Sequence, residues 1–202
     1  MSHPAGPAAA GPTGEAMLLD RTIKELIVRQ AIVDVHREQL SDTYVSGAVI
    51  EVSYSFVYLR RYDDEGRYDG LSVLRKDDVT RLAWAGNERE AITRLIRREG
   101  QQPVRPKIEL DSFQSVVRTL QQQIGHVVLY FEELDQDLAA AGELEEMDDE
   151  TLVLRLYGPK ESLDRPFGLF HLADVTRVEA DSRQMRNLIA LHGAPEAQRE
   201  TS

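Results

Sequence analysis

A mainly β protein with flanking helices, built as two tandem small barrels each preceded and followed by a helix, is the fold class that three observations predict. The tetrapeptide Asp-Val-Thr-Arg stands at Asp78–Arg81 and again at Asp174–Arg177. Placing Gly47 on Gly142, an offset of 95, brings the residues around both glycines into step. In each half, a helical spacing of apolar residues gives way to runs of β-branched and aromatic residues broken by short polar turns. One matched tetrapeptide can arise by chance; matched patterns along a whole half point to a tandem duplication.

Each unit opens with a helix. Leu19, Ile23, Leu26 and Ile27 share one helical face in the first, and Phe113, Val116, Val117, Leu120 and Ile124 in the second. The first strand is read at 32–38, IVDVHRE, over 127–133, VVLYFEE. The second is GAVIEV at 47–52 over GELEEM at 142–147. The third is VYLRRY at 57–62 over LVLRLY at 152–157, with Arg60/Arg155 and Tyr62/Tyr157 identical. Loops with glycine, YDDEGRYDG and YGPKESLDRPFG, lead to a fourth strand. A short last strand holds Asp-Val-Thr-Arg, with Val79 and Val175 facing the core and the acid bonded to a neighbouring turn. A helix closes each unit: Asn87 with Glu90 and Asp181 with Gln184 have capping-box spacing, and Gly100 and Gly193 stand where helices stop.

This gives a disordered tail at 1–15, a first unit at 16–100, a linker at 101–108, a second unit at 109–193 and a disordered tail at 194–202. The linker reading rests on the prolines of REGQQPVRPKI and its lack of apolar period.

The net charge of −11 is uneven. Residues 17–100 carry 14 basic against 15 acidic side chains, and residues 108–192 carry 7 against 17. The second unit therefore repels nucleic acid and anionic membrane, while the first is near neutral. No apolar run reaches the ~20 residues of a membrane span, and the opening MSHPAGPAAAGPTGEA lacks the pattern of a secretory signal. Without cysteine there is no disulfide, thiol catalysis or thiolate metal site, which fits a reducing cytoplasm, the expected location.

Chemistry-bearing patterns are sparse. The segment 132–150, EELDQDLAAAGELEEMDDE, holds ten acids but lacks the ligand spacing of a calcium loop. It reads as a solvated edge or as a docking surface for a basic protein partner. His3, His36, His126, His171 and His192 include no pair at zinc-site spacing. RLIRR at 94–98 ends a helix, where cations are favoured, and only Tyr54, Phe56 and Trp84 stand near it as stacking candidates. No phosphate loop, nucleophile elbow or Ser/His/Asp arrangement is visible. Catalytic, cofactor-binding and metal-binding residues are accordingly none, and the chain is read as not an enzyme.

A helix followed by five strands, with a glycine in the bent second strand and an L-x-x-D-V step near the fourth, resembles the Sm-like (SH3-type) barrel family. The resemblance runs from about Leu19 to Trp84 through VDVHRE, SGAVIEV, FVYLRRY and LRKDDVTRL, and from about Phe113 to Ala180 through VLYFEE, AGELEEM, LVLRLY and LADVTRV. RNA-binding members place an Asp and an Asn after the bent strand and an Arg/Lys-Gly step later. Here those positions hold Ser53 or Asp148 and Val57 or Leu152, and the basic-Gly step is missing. The resemblance thus implies the barrel without its nucleotide pocket. The expected function is a non-enzymatic protein–protein interaction or adaptor protein; RNA binding through the first unit is the alternative. Small barrels leave open strand edges, so the two units are expected to pair within the chain as a pseudo-twofold dimer. Their outer edges are left for a homodimer or a partner.

Overall fold

The computed structural model describes residues 14–100 and 105–193, so part of the linker and the expected tails lie outside the described residues, except that Gly14 and Glu15, read as tail, begin the first helix. The first half runs α1 (Gly14–Arg29), β1 (Ile32–His36), β2 (Tyr44–Val52), β3 (Phe56–Tyr62), β4 (Tyr68–Arg75), β5 (Arg81–Trp84) and α2 (Asn87–Glu99). The second runs α3 (Phe113–Ile124), β6 (Val127–Tyr130), β7 (Ala139–Met147), β8 (Thr151–Leu156), β9 (Phe167–His171), β10 (Arg177–Ala180) and α4 (Arg183–His192). Among the described residues no helix is long and apolar enough to cross a membrane.

The protein is mainly β with flanking helices, as expected, but its ten strands form one open antiparallel sheet in the order β5-β1-β2-β3-β4-β10-β6-β7-β8-β9. Two closed barrels do not form. The edge of β4 that could have closed the first half on itself bonds β10 of the second half instead, through Leu74↔Arg177, Val73↔Val178, Ser72↔Glu179 and Leu71↔Ala180.

The two halves repeat their pairings. Gly47↔Arg61 recurs as Gly142↔Leu156, and Leu59↔Ser72 recurs as Leu154↔Gly168. Both second strands carry a register shift at the same place, between Val49 and Glu51 and between Leu144 and Glu146, so the bend is part of the repeated unit. The first strands correct the sequence reading. His36↔Arg81 recurs as Tyr130↔Arg177, an offset of 94 rather than 95. Both segments are nearly continuous apolar runs, and such a run fixes no register from sequence.

Gly142 sits where a side chain cannot. A Cβ there would lie 2.7 Å from the Arg155 carbonyl oxygen on β8. Gly142→Ala is expected to cost roughly 1–3 kcal/mol by forcing the two strands apart, read as a lower urea midpoint at unchanged slope.

One core lies beneath the first half, where Ile23 and Leu26 of α1 pack on Val33, Val35, Val57, Leu59 and Leu74. A larger core spans both halves, joining Phe56, Tyr58, Leu71 and Val73 to Phe113, Val117, Leu120, Leu129 and Val178. The linker takes part. Pro106, Ile108 and Leu110 are buried, alternating with exposed Arg105, Lys107 and Glu109, so this segment packs as an extended cover although its prolines mask the pattern.

Helix ends differ by a residue from the sequence reading. Ser182, not Asp181, caps α4, its hydroxyl accepting from the Met185 N–H at 3.2 Å. Ser112 does the same for α3, while α2 follows Gly86 without a side-chain cap. Gly100 closes α2 in the left-handed conformation, as its position predicts.

Candidate functional site: a charged junction and two open edges

The repeated tetrapeptide is a clamp, and only its arginine belongs to a strand. Asp78 and Asp174 end short 3-10 turns, Lys76–Asp78 and Leu172–Asp174. The Thr80 N–H and hydroxyl donate to the His36 carbonyl at 2.9 and 3.1 Å, and the hydroxyl accepts from the Glu38 N–H at 3.1 Å. Thr176 repeats the tie with its N–H donating to the Tyr130 carbonyl at 2.9 Å and its hydroxyl accepting from the Glu132 N–H at 3.3 Å. The threonine therefore makes the bonds expected of the aspartate. One Asp78 carboxylate oxygen is buried without a partner, and burial pushes that group's pKa up. The arginine completes the clamp: Arg81 donates to His36 Nδ1 at 3.0 Å and pairs with Glu38 at 3.1 Å. Arg177 lies 3.6 Å over the Tyr130 ring and pairs with Glu132 at 3.2 Å.

In the second half this clamp is part of the junction between the units. Arg37 reaches across and grips Glu132 with both nitrogens, at 2.5 and 2.6 Å, with both side chains almost wholly buried. Thr176 donates to the same carboxylate at 2.7 Å. Burial alone would push the Glu132 pKa up; the Arg37 hydrogen bond and the Arg177 and Arg37 charges outweigh it and hold the carboxyl ionised. Glu179 accepts from Arg61 at 2.5 Å and from the Tyr130 hydroxyl at 3.1 Å, and forms an ion pair with Arg177 at 3.2 Å. Basic and acidic groups alternate across the seam, so each buried charge has an opposite neighbour.

The seam is heterologous. A twofold pair would set equivalent strands against each other, whereas here β4 meets β10, the repeat of β5. Two edges stay open, β5 and β9. On β9, Phe167 is 66% and Leu169 63% exposed; on β5, Trp84 is 45% exposed. Beside β5 lies a cavity of about 250 Å³ against α1, lined by Leu18, Leu19, Val79, Leu82 and Trp84.

The other residues singled out in the sequence are dispersed. Of the acids at 132–150, Glu132 and Glu143 are buried; Glu143 accepts from the Tyr157 hydroxyl at 2.5 Å. Asp135 and Asp148 bond turn N–H groups, and Asp148 thereby takes the same place as Ser53 in the first half. Val57 and Leu152 are core residues. Among the described residues no group of three or more His, Asp or Glu is placed to hold a metal ion. Arg94 pairs with Glu90 on the surface, Phe56 is buried against Phe113, and Tyr54 is exposed beneath Lys76. His3 lies outside the described residues, His171 is exposed on β9, and His192 meets the Gly158 carbonyl at 3.0 Å. Sequence reasoning missed Arg37, Arg61, Glu132 and Glu179. Their signal is a charge at an inward position of an otherwise apolar strand or at its end.

His126 is buried and accepts the Asp181 N–H at Nε2, 3.1 Å. Burial lowers its pKa from 6.5 to about 4. The unfolded chain then takes up a proton before the folded one does, so stability is undiminished above pH 6.5 and falls as pH drops toward 4, by at most roughly 3 kcal/mol. Urea midpoints measured across that window should show the fall, and His126→Gln should flatten it.

No family model matches the chain, and neither curated proteins nor solved structures match it.

Proposed function

We propose that this chain is a non-enzymatic interaction protein of two Sm-like units, which joins further copies of itself edge to edge and presents its acidic second half to a basic partner. The observation that carries this reading is the heterologous seam, because a head-to-tail contact leaves one complementary edge at each end. A helix and then five strands in the order β5-β1-β2-β3-β4, repeated as β10-β6-β7-β8-β9, support the Sm-like assignment.

By the repeat, β9 stands for β4 and β5 for β10. Their union would set Leu169 opposite Leu82 and Phe167 opposite Trp84, where the inner seam has Val73 with Val178 and Leu71 with Ala180. The substitutions are matched on both sides. Arg61 and Glu179, an ion pair inside, correspond to Leu156 and Ala83, an apolar pair outside. The cavity beside β5 corresponds to the place where α3 and β10 cover Phe56, Leu71 and Val73. Exposed edges of this kind recruit strands.

Sedimentation or light scattering of the full chain tests this. The expected result is a closed ring or a chain of several copies, dissociating on dilution. A strict monomer at high concentration sinks it.

A further inference from the structure

We infer that the first half holds a binding site for a small phosphorylated molecule, in the cleft where the end of α1, strands β2 and β3, α2 and Arg105 meet. The cleft has a volume of about 200 Å³ and is lined by Arg29, Arg60, Arg97 and Arg105 together with Tyr62, and no acid lines it. None of the four arginines makes an ion pair with a described residue, and Arg60 Nε is buried without a hydrogen-bond partner. Arg105 donates one bond, to the Ile50 carbonyl at 3.1 Å.

Four guanidinium groups around one cleft, none with an ion-pair partner among the described residues, run against the rest of a chain of net charge −11. Helix ends explain two of them, since Arg29 and Arg97 lie in the last turns of α1 and α2 and favour the helix C-terminus. They do not explain Arg60 on β3 or Arg105 in the linker. Like charges gathered in a concavity repel, and an anion in the cleft relieves that repulsion. Guanidinium forks match the oxygens of a phosphate, each able to donate two parallel bonds.

Size and charge narrow the ligand. Sites for drug-sized molecules usually span about 300–1,000 Å³, so this cleft suits a phosphate group with a small body attached. The negative field of the whole chain disfavours the approach of a long polyanion, and a compact ester with few charges meets less repulsion. The site is independent of the open edges: the cleft would survive if self-assembly failed.

Thermal unfolding and calorimetry of the full chain with inorganic phosphate and with pyrophosphate, against sodium chloride at equal ionic strength, test the assignment. The expected result is a phosphate-dependent rise in Tm beyond that in chloride, with pyrophosphate the tighter ligand. Arg60→Gln and, separately, Arg97→Gln should leave the Tm without phosphate unchanged or higher, while weakening pyrophosphate binding at least tenfold. Absence of a phosphate-specific rise overturns the proposal. So does a lower Tm for both variants without phosphate, combined with an intact phosphate response, because the arginines would then be structural cations. Parallel titrations use a labelled single-stranded RNA and vesicles containing phosphoinositide. If either binds through Arg60 and pyrophosphate does not compete, the small-molecule assignment falls.

Discussion

Replacing Glu132 with alanine is expected to destabilise the protein by about 3–5 kcal/mol, because it strips the acid from a seam that remains full of cations. Arg37 would keep its guanidinium in a place where its side chain is 2% exposed, with no carboxylate to meet it. Arg177 would lose one of its two acids but keep Glu179 and the face of Tyr130. The damage therefore centres on Arg37. Glu132→Gln keeps an acceptor for Arg37 and Thr176, and should cost less. Removing both charges, as Arg37→Met with Glu132→Leu, should recover most of the loss, since a buried ion pair replaced by apolar groups of similar volume is often neutral. Urea unfolding of the four proteins measures this. A loss below 1 kcal/mol for Glu132→Ala would mean that water reaches the seam and the charges are screened.

How far the sequence discloses this arrangement depends on which level is read. The helix faces are legible because the spacing of Ile23 and Leu26, or of Val116, Val117 and Leu120, allows one buried side, and these residues are buried. The repeat is legible because Gly47 and Gly142 mark a bend that no side chain can occupy. Closure is not legible. Whether β4 bonds its own β5 or the β10 of the other half depends on long-range geometry, and the local pattern of Leu71 to Leu74 suits either. The seam is hidden for a related reason. Arg37 and Glu132 lie 95 residues apart, and each alone looks like an ordinary charge just after a strand. Asp-Val-Thr-Arg is conspicuous as a repeat, but its roles divide by residue: the threonine ties the chain, and the arginine meets whichever acid follows the first strand.

The outer edges offer the sharper test of assembly, through a charge pair moved from the inner seam to the outer one. Ala83 stands where the second half has Glu179, and Leu156 stands where the first half has Arg61. Ala83→Glu would face a carboxylate toward Leu156 of the next copy, an apolar neighbour that can neither neutralise it nor donate to it. Association should weaken by on the order of 2 kcal/mol or more, about thirtyfold in affinity. Leu156→Arg alone should weaken it similarly, with a cation opposite Ala83. Combined in one chain, the two substitutions recreate across the outer seam the pair that Arg61 and Glu179 form at 2.5 Å inside it, and self-association should return. Ala83 is partly exposed and Leu156 packs at the margin of the large core, so Leu156→Arg also lowers monomer stability, and urea unfolding at low concentration separates that loss from the change in assembly. Mixing the two single variants supplies a further check. The β5 edge of the Ala83→Glu variant then finds its match in the β9 edge of the Leu156→Arg variant, and the remaining two edges are unaltered. The mixture should therefore form longer assemblies than either variant alone. If the double variant stays as dissociated as the singles, β5 and β9 do not meet in the register that the inner seam sets.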